Sequence, residues 1–207
     1  MNDTFHEKSS KKTNGTSSLP ILYSLRNCPY AMRARLAIFK AKQTVLLRDL
    51  VLSNKPAEMI SVSPKGTVPV LVLSNGTVIE ESLEIMQYVL NWKLNEDEKN
   101  WINRNDEQFK FHLDRYKYPN RYENIDYLEH RHEASKYLIE LDKKISNEEI
   151  SLALNDSLFP FVRQFANHDR HWFDSQDWNS IHKWLKNNLE SEEFKICMTK
   201  YPQWNPE

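Results

Sequence analysis

Short apolar runs alternate with helix-like stretches along the first part of the chain. The strand-like runs are ILYS (21–24), TVLLRDLVL (44–52), VPVLVL (68–73) and TVIE (77–80). The helix-like stretches are YAMRARLAIFKAK (30–42), the second half of SNKPAEMISVSP (53–64) and SLEIMQYVLNW (82–92). An Asn-Gly turn joins the last two strand-like runs into a hairpin. The order β-α-β-α-β-β-α predicts one small α/β sandwich.

The first helix-like stretch has an apolar face. Ala31, Ala34 and Ile38 fall at helical spacing, whereas Arg33 and Arg35 point elsewhere. We therefore expect the two arginines to lie outside the apolar face of this helix.

The strand pattern disappears after the polar stretch KLNEDEKN. Beyond it, aromatic and leucine residues recur at three- and four-residue spacings, which is typical of packed helices. The chain is thus predicted to be α/β followed by all-α. The predicted segments are a disordered tail (1–19), an α/β domain (20–92), a linker (93–100) and an all-helical C-terminal domain (101–207).

Composition excludes several classes of protein. The 207 residues include 40% apolar and 12% aromatic residues, which suffices for a sizeable core. The formal net charge of −1 gives no reason to expect nucleic acid or an anionic membrane as a partner. No apolar run approaches the length of a membrane helix, and the polar N-terminal stretch lacks the apolar core of a secretory signal. Only three glycines are present, too few for a phosphate-binding loop.

Two cysteines without a signal peptide favour a reducing cytoplasm. Cys28 precedes Pro29, and proline suits the first turn of a helix because its missing N–H would have no partner there. Cys28 is therefore expected at the helix N-cap, where unpaired N–H groups favour the reactive thiolate. The alternative is a cysteine that caps a helix without reacting.

A dithiol motif would carry a second cysteine three residues after the first, but that position is Ala31. Cys197 lies between Ile196 and Met198 on what is predicted to be a packed helix face, so we expect it in the core. Cys28 then needs a second thiol from outside the chain. Glutathione is the abundant cytosolic candidate, and the site is predicted to be monothiol.

Three motifs resemble the N-terminal thioredoxin-like domain of cysteine-type glutathione S-transferases. They are CPYAMRAR (28–35), SNKPAEMISVSPKGTVPVL (53–71) and TVIEESLEIMQYV (77–89). Omega-like and glutaredoxin-2-like transferases are the most similar groups. The helical half resembles the second domain of bacterial members through LFPFVRQFANHDRHWF (158–173) and YPQW (201–204). The resemblance implies the glutathione transferase fold, with glutathione as cosubstrate, a small hydrophobic or thiol-containing second substrate, and a homodimer.

The resemblance also implies the glutathione contacts. Val68-Pro69 would form a cis peptide bond that exposes backbone groups of Val68 to the cysteinyl residue of the ligand. Ser82 would cap the last helix of the domain and hold the γ-glutamyl carboxylate, and Glu81 would pair with the ligand ammonium. Lys55 would reach the glycyl carboxylate. Local sequence alone is equally compatible with an ordinary proline, an ordinary N-cap and a solvated lysine.

The helical half departs from the family pattern at one point. Family members carry a Ser/Thr-x-x-Asp capping box before a buried central helix, whereas here Ser151 is followed three residues later by Leu154. We expect the cap to be shifted or replaced by Asn155 or Asp156.

Other side chains give weaker signals. A second-substrate pocket beside the sulfur is a hypothesis for four residues, for which core packing is the alternative: Tyr116, Tyr118, Tyr122 and Arg163. The spacings of the histidines do not suit a metal site, so solvated histidines and no metal are expected. The histidines concerned are His130, His132, His168 and His171.

We therefore expect a cytoplasmic enzyme that performs glutathione-dependent thiol transfer or reduction with Cys28 as nucleophile. Substrates of this chemistry include glutathionylated proteins, disulfides and dehydroascorbate-type oxidants. A second hypothesis is conjugation of glutathione to electrophiles, for which a hydroxyl of Tyr23 or Ser24 would stabilise the glutathione thiolate. A third is a binding or stress-response module that keeps the fold without catalysis.

Overall fold

The computed structural model describes residues 4–7, 19–51 and 53–205. The chain divides into two compact units, of which one runs to Lys93 and includes the segment from Glu192 onward, and the other is Leu94–Ser191. The sequence had assigned all of 101–207 to the helical domain, so the return of the C-terminal segment to the first unit differs from that expectation.

The first unit combines a five-stranded sheet with flanking helices. Its strands are β1 (Phe5–His6), β2 (Ile21–Ser24), β3 (Val45–Asp49), β4 (Val70–Val72) and β5 (Val78–Ile79). Its helices are α1 (Pro29–Lys40), α2 (Ala57–Val62), α3 (Ser82–Leu90) and, from the C-terminal segment, α10 (Glu192–Cys197). From β2 onward the elements follow the predicted order, which confirms the thioredoxin-like arrangement.

The strand order is β1-β3-β2-β4-β5. β3 pairs in parallel with β1 and β2, whereas β4 runs antiparallel to both β2 and β5. β1 was not expected, because the N-terminal tail was predicted to be disordered. Phe5 is buried in the core, so that prediction is wrong for residues 4–7; most of the remaining tail lies outside the described residues.

The two arginines of α1, which fall outside its apolar spacing, are nevertheless buried. Arg33 and Arg35 are both 0% exposed, because α1 packs against the sheet core on one side and contacts α3 and α10 on others. A helix covered on several sides has no solvent-facing stripe where a charged side chain can remain hydrated.

Arg35 joins three distant parts of the first unit. Its guanidinium donates to the Ser24 hydroxyl at 2.8 Å, to the Asp49 carboxylate at 2.5 Å and to the Cys197 carbonyl at 3.1 Å. Burial raises the pKa of the Asp49 carboxyl, and the Arg35 charge opposes that shift. Burial likewise lowers the pKa of Arg35, opposed by Asp49. Cys197 is fully buried, as the sequence predicted.

The second unit consists of helices within the described residues. They are α4 (Glu96–Arg104), a π-helical segment (Asn105–Phe109), α5 (Lys110–Lys117), a 3₁₀ turn (Pro119–Arg121), α6 (Tyr127–Asn147), α7 (Leu152–Ala166), α8 (Arg170–Asp174) and α9 (Asn179–Glu190). The predicted linker is therefore helical from Glu96. Asn95 and Glu98 form a capping box that starts α4. Among the described helices, none has both the length and the apolar character of a bilayer span.

The cap of α7 corrects the prediction of a shifted cap. Ser151 itself is the N-cap, and its hydroxyl oxygen accepts from the Leu154 N–H at 3.1 Å. The same hydroxyl donates to the carboxylate of Glu98, which comes from α4. A carboxylate distant in sequence thus binds the capping serine in place of the missing acidic residue three positions later.

Candidate active site

Cys28 occupies the N-cap of α1, and Pro29 is the first helical residue, as the sequence predicted. Its side chain is half-buried and makes no capping hydrogen bond to the helix. Instead the sulfur lies 3.9 Å from the carbonyl oxygen of Val68, to which the thiol donates. Beneath it lies an apolar cluster that includes Tyr23, Met59 and Val68. Ala31 is fully buried, and neither cysteine forms a disulfide.

Sheet topology brings the three predicted motifs to one edge. Tyr23, near the end of β2, pairs with Val70 at the start of the antiparallel β4. Leu71 in turn pairs with Ile79 at the end of β5. The loop to Cys28 after β2, the cis-proline before β4 and the residues after β5 therefore share this edge of the sheet.

The Val68-Pro69 peptide bond is cis, as the resemblance implied. Both residues are buried, and the Val68 carbonyl already contacts the Cys28 sulfur. Among described backbone and side-chain acceptors, none takes the Val68 N–H. An extended ligand lying along this segment therefore finds a backbone donor that is not otherwise bonded.

Ser82 begins α3 and is almost buried, at 5% exposed. The N-cap itself is Glu81, so the prediction that Ser82 caps this helix is wrong by one position. The Ser82 hydroxyl oxygen accepts from Nη1 of Arg33 at 3.5 Å. This contact joins α1, which begins after Cys28, to the N-terminus of α3.

Glu81 is exposed and forms an ion pair with Lys65, whose Nζ lies 2.8 Å from Glu81 Oε1. The hydrogen bond and charge of Glu81 raise the pKa of Lys65. Lys55 is also exposed, and its side chain lies over Gly66: a β-carbon there would come within 3.2 Å of the Lys55 ammonium nitrogen. Gly66 has φ of +61°, a conformation that favours glycine.

The sequence missed Arg33 and Lys65. The residues next to them in sequence do not distinguish these two cations from ordinary surface cations. Both acquire their partners only when α1, α3 and the turn before β4 come together. The predicted glutathione-contact residues all lie in the first unit: Lys55, Val68, Glu81 and Ser82.

The two candidate hydroxyls for conjugation are buried and already bonded. Tyr23 is 2% exposed and accepts from the Arg48 guanidinium. Ser24 is 0% exposed and accepts from Arg35 at 2.8 Å. Both residues are therefore buried, with hydroxyls already engaged by arginines.

The predicted second-substrate residues lie in the helical unit. Tyr116 is 2% exposed, stacks against Tyr127 and contacts the rings of Phe165 and His168, so it belongs to the aromatic core. Burial raises the pKa of Tyr116. The other three are half-buried: Tyr118, Tyr122 and Arg163.

The histidines depart from the expectation that all are solvated. His132, His168 and His171 are exposed, but Nδ1 of His130 lies 2.8 Å from Nδ1 of His112. Within the described ranges, no group of three or more histidine, cysteine or acidic side chains could hold a metal ion.

Sequence comparison links the first unit to known proteins. Residues 22–96 match the family described as glutathione S-transferase, N-terminal domain. A probable glutathione transferase from Aplysia californica is 42% identical over 64 residues, which are 31% of this chain and 68% of that protein. Glutathione S-transferase omega-1 from Sus scrofa is 35% identical over 68 residues, 33% of this chain and 28% of that protein.

Solved structures share the fold over most of the chain. A glutathione transferase family member from Pseudomonas fluorescens Pf-5, with two glutathione bound, aligns with a TM-score of 0.76 at 14% identity, covering 89% of this chain and 94% of that one. A glutathione transferase from Pseudomonas putida, with one glutathione disulfide bound per subunit, gives a TM-score of 0.75 at 19% identity, covering 92% and 94%.

These structures confirm the predicted fold, in which a thioredoxin-like unit is joined to an all-helical one. Identity of 42% over 68% of the Aplysia californica protein adds a relationship in sequence to this likeness in fold. The chain belongs to the glutathione S-transferase family.

Proposed function

We propose that this chain is a glutathione-dependent thiol transferase with Cys28 as its nucleophile. The observation that carries the proposal is the contrast between the two cysteines. Cys28 is half-exposed at the start of a helix, whereas Cys197 is buried, and Ala31 stands where a resolving cysteine would be. A single accessible thiol that lacks a resolving partner suits exchange with a soluble thiol.

The reaction consists of two thiol–disulfide exchanges. The Cys28 thiolate attacks the glutathione sulfur of a mixed disulfide, forms a disulfide with glutathione, and releases the substrate thiolate, which takes a proton from water. The thiolate of a second glutathione then attacks the glutathione sulfur bound to Cys28. This step releases oxidised glutathione and regenerates the Cys28 thiolate, so electrons balance without another reductant.

Glutathione would lie along the sheet edge described above. The backbone of Val68 beside cis-Pro69 would pair with its cysteinyl residue, and the N-terminus of α3 at Ser82 would receive the γ-glutamyl carboxylate. Glu81 would receive the ammonium group and Lys55 the glycyl carboxylate. Glutathione in the Pseudomonas fluorescens structure and its disulfide in the Pseudomonas putida structure support this choice of ligand.

Conjugation as the main activity is disfavoured by the same contacts. A conjugating enzyme stabilises the glutathione thiolate with a hydroxyl, but Tyr23 and Ser24 are buried and bonded to Arg48 and Arg35. Cys28, by contrast, is only half-buried. A dominant activity with an aryl halide that survives Cys28→Ser would reverse this conclusion.

The proposal is tested first by intact-mass spectrometry after incubation with oxidised glutathione. We expect one glutathionyl group on the wild-type chain, one on Cys197→Ser and none on Cys28→Ser. The wild type and Cys197→Ser should also turn over a glutathione mixed disulfide, whereas Cys28→Ser should show only the rate of uncatalysed exchange.

Full activity in Cys28→Ser, or labelling of Cys197 instead, would contradict the proposal. Failure of glutathione to raise the melting temperature of the wild-type protein would instead favour a non-enzymatic role. We also propose that the protein is cytoplasmic, because glutathione is the required reductant. The family resemblance further implies a homodimer, and the mass in solution from light scattering tests it.

A further inference from the structure

Two arginines of α1 are fully buried, but they serve different neighbours. Arg35 pairs with the carboxylate of Asp49, which offsets its charge inside the first unit. Arg33, two residues earlier, extends toward α3 and donates to the Ser82 hydroxyl at 3.5 Å. Its guanidinium also lies 5.5 Å from the centre of the Tyr30 ring. Arg33 thus contacts Ser82 at the N-terminus of α3, where the glutathione carboxylate is proposed to bind.

The donor and acceptor roles at Ser82 are fixed by chemistry. A guanidinium only donates hydrogen bonds, so the Ser82 oxygen must be the acceptor. A hydroxyl has one proton, and no side chain or carbonyl in residues 4–7, 19–51 and 53–205 accepts it. The proton is therefore left for an acceptor outside the protein.

The position of that proton matches the charge of the expected ligand. Ser82 is the first residue of the nine-residue helix α3, whose first N–H groups have no partners within the helix. A carboxylate at this helix end would accept from those N–H groups and from the Ser82 hydroxyl together.

We propose that Arg33 is a positioning residue for the γ-glutamyl carboxylate of glutathione, acting through Ser82. By donating to the serine oxygen it holds the hydroxyl in the orientation that directs its proton at the ligand, and it makes that proton a stronger donor. This inference rests on the proposed function, because it assumes that glutathione binds at α3. It assigns ligand discrimination to a residue that does not itself touch the ligand.

Calorimetric titration of the full chain with glutathione and its two halves tests the inference. γ-Glutamylcysteine keeps the carboxylate that Ser82 would bind, whereas cysteinylglycine lacks it. We expect Arg33→Met to raise the Kd for glutathione and for γ-glutamylcysteine by about tenfold, the scale of one charge-assisted hydrogen bond. The Kd for cysteinylglycine should not change. Arg33→Lys, which keeps a donor, should restore part of the loss.

A double-mutant cycle separates this role from a structural one. Ser82→Ala should lose as much glutathione affinity as Arg33→Met, and the double variant should be no weaker than Ser82→Ala alone, because both changes remove one coupled contact. Arg35→Lys is the matched control: it changes the other buried arginine of α1 and should lower the melting temperature without altering the preference for γ-glutamyl ligands.

The outcomes distinguish the two proposals. A wild-type chain that binds no glutathione overturns the proposed function and this inference together. If the wild type binds glutathione and Arg33→Met binds it equally well, the inference fails, whereas the proposed thiol transfer by Cys28 stands. The inference also fails if the Arg33 variants lose affinity equally for cysteinylglycine. Should Arg33→Met not fold, the cycle with Arg33→Lys decides, with a smaller expected loss: an Arg33→Lys loss of glutathione affinity that persists in the Ser82→Ala background overturns the inference.

Discussion

The ammonium nitrogen of Lys65 lies 2.8 Å from a carboxylate oxygen of Glu81. Glu81 is the residue proposed to receive the ammonium group of glutathione, so a lysine of the protein and the ligand share one acceptor. The carboxyls of Glu80 and Glu84 also act on Lys65 and favour its charged form. If Glu81 receives the ligand as proposed, this exposed pair competes with glutathione for the same carboxylate.

Removing Lys65 should tighten glutathione binding. We expect Lys65→Met to lower the Kd by about two- to fivefold, the range that an exposed ion pair contributes, because Glu81 is then available. Lys65→Arg should stay close to the wild type. If Lys65 simply attracted the anionic ligand, its removal would raise the Kd instead. Weaker glutathione binding by Lys65→Met in titration calorimetry would therefore refute the competition.

The pair of Arg35 and Asp49 should dominate the stability of the first unit. Arg35→Met leaves the Asp49 carboxyl, 14% exposed, without its partner and removes the hydrogen bond to the Cys197 carbonyl. Loss of one member of a buried pair costs about 3 kcal/mol, which urea unfolding should detect. Adding Asp49→Asn to Arg35→Met should recover part of this loss, because neither member of the pair then leaves an unpaired charge in the interior. A double variant less stable than either single variant would contradict this account.

Stability should fall as the pH drops below about 6.5, the ordinary value for histidine. Burial and the neighbouring His130 lower the pKa of His112, while Glu133 opposes them and Arg115 and Lys136 reinforce them. Below that pH the unfolded chain binds a proton at His112 that the folded chain does not yet bind, so unfolding becomes more favourable.

Melting temperatures between pH 5 and pH 8 test this dependence. His112→Gln should flatten the decline, and His132→Gln, an exposed neighbour, should not. Some slope should remain in His112→Gln, because burial also lowers the pKa of His168. An unchanged slope in His112→Gln would show that the paired imidazoles do not control the acid sensitivity.

Trp204 should contribute to the stability of the first unit, to which the C-terminal segment belongs. Its backbone N–H donates to the Asp49 carbonyl at 2.9 Å. Its ring centre lies 4.1 Å from the Arg48 guanidinium, and the ring is edge-on to Tyr23. Trp204→Ala should lower the free energy of unfolding by about 2 kcal/mol, and Trp204→Phe by clearly less. Equal losses in the two variants, measured in urea, would mean that ring packing is not the cause.

Local sequence was sufficient wherever neighbouring residues decide the conformation. The place of Cys28 follows from Pro29 beside it, since proline begins a helix readily. The element order after β2 followed from apolar periodicity. The cis bond at Val68-Pro69 was equally compatible with an ordinary proline in local sequence, and only the resemblance predicted it.

Sequence was insufficient wherever a contact joins residues far apart. Arg33 and Arg35 fall outside the apolar spacing of α1, yet both are buried, and their hydrogen bonds reach Ser82 and Cys197. Local apolar periodicity does not indicate which other helices will cover a given face. Burial removes water from these charges, so their partners matter far more than they would at the surface.

By itself, then, the sequence determined the series of elements and a single accessible thiol at the start of a helix, because helix capping and apolar periodicity act between near neighbours. Only the tertiary structure decided that Glu98 binds Ser151, that the C-terminal segment joins the first unit, and that Arg33 supports the N-terminus of α3. These contacts form between residues 49 or more positions apart, and they exist only after the helices and strands have packed.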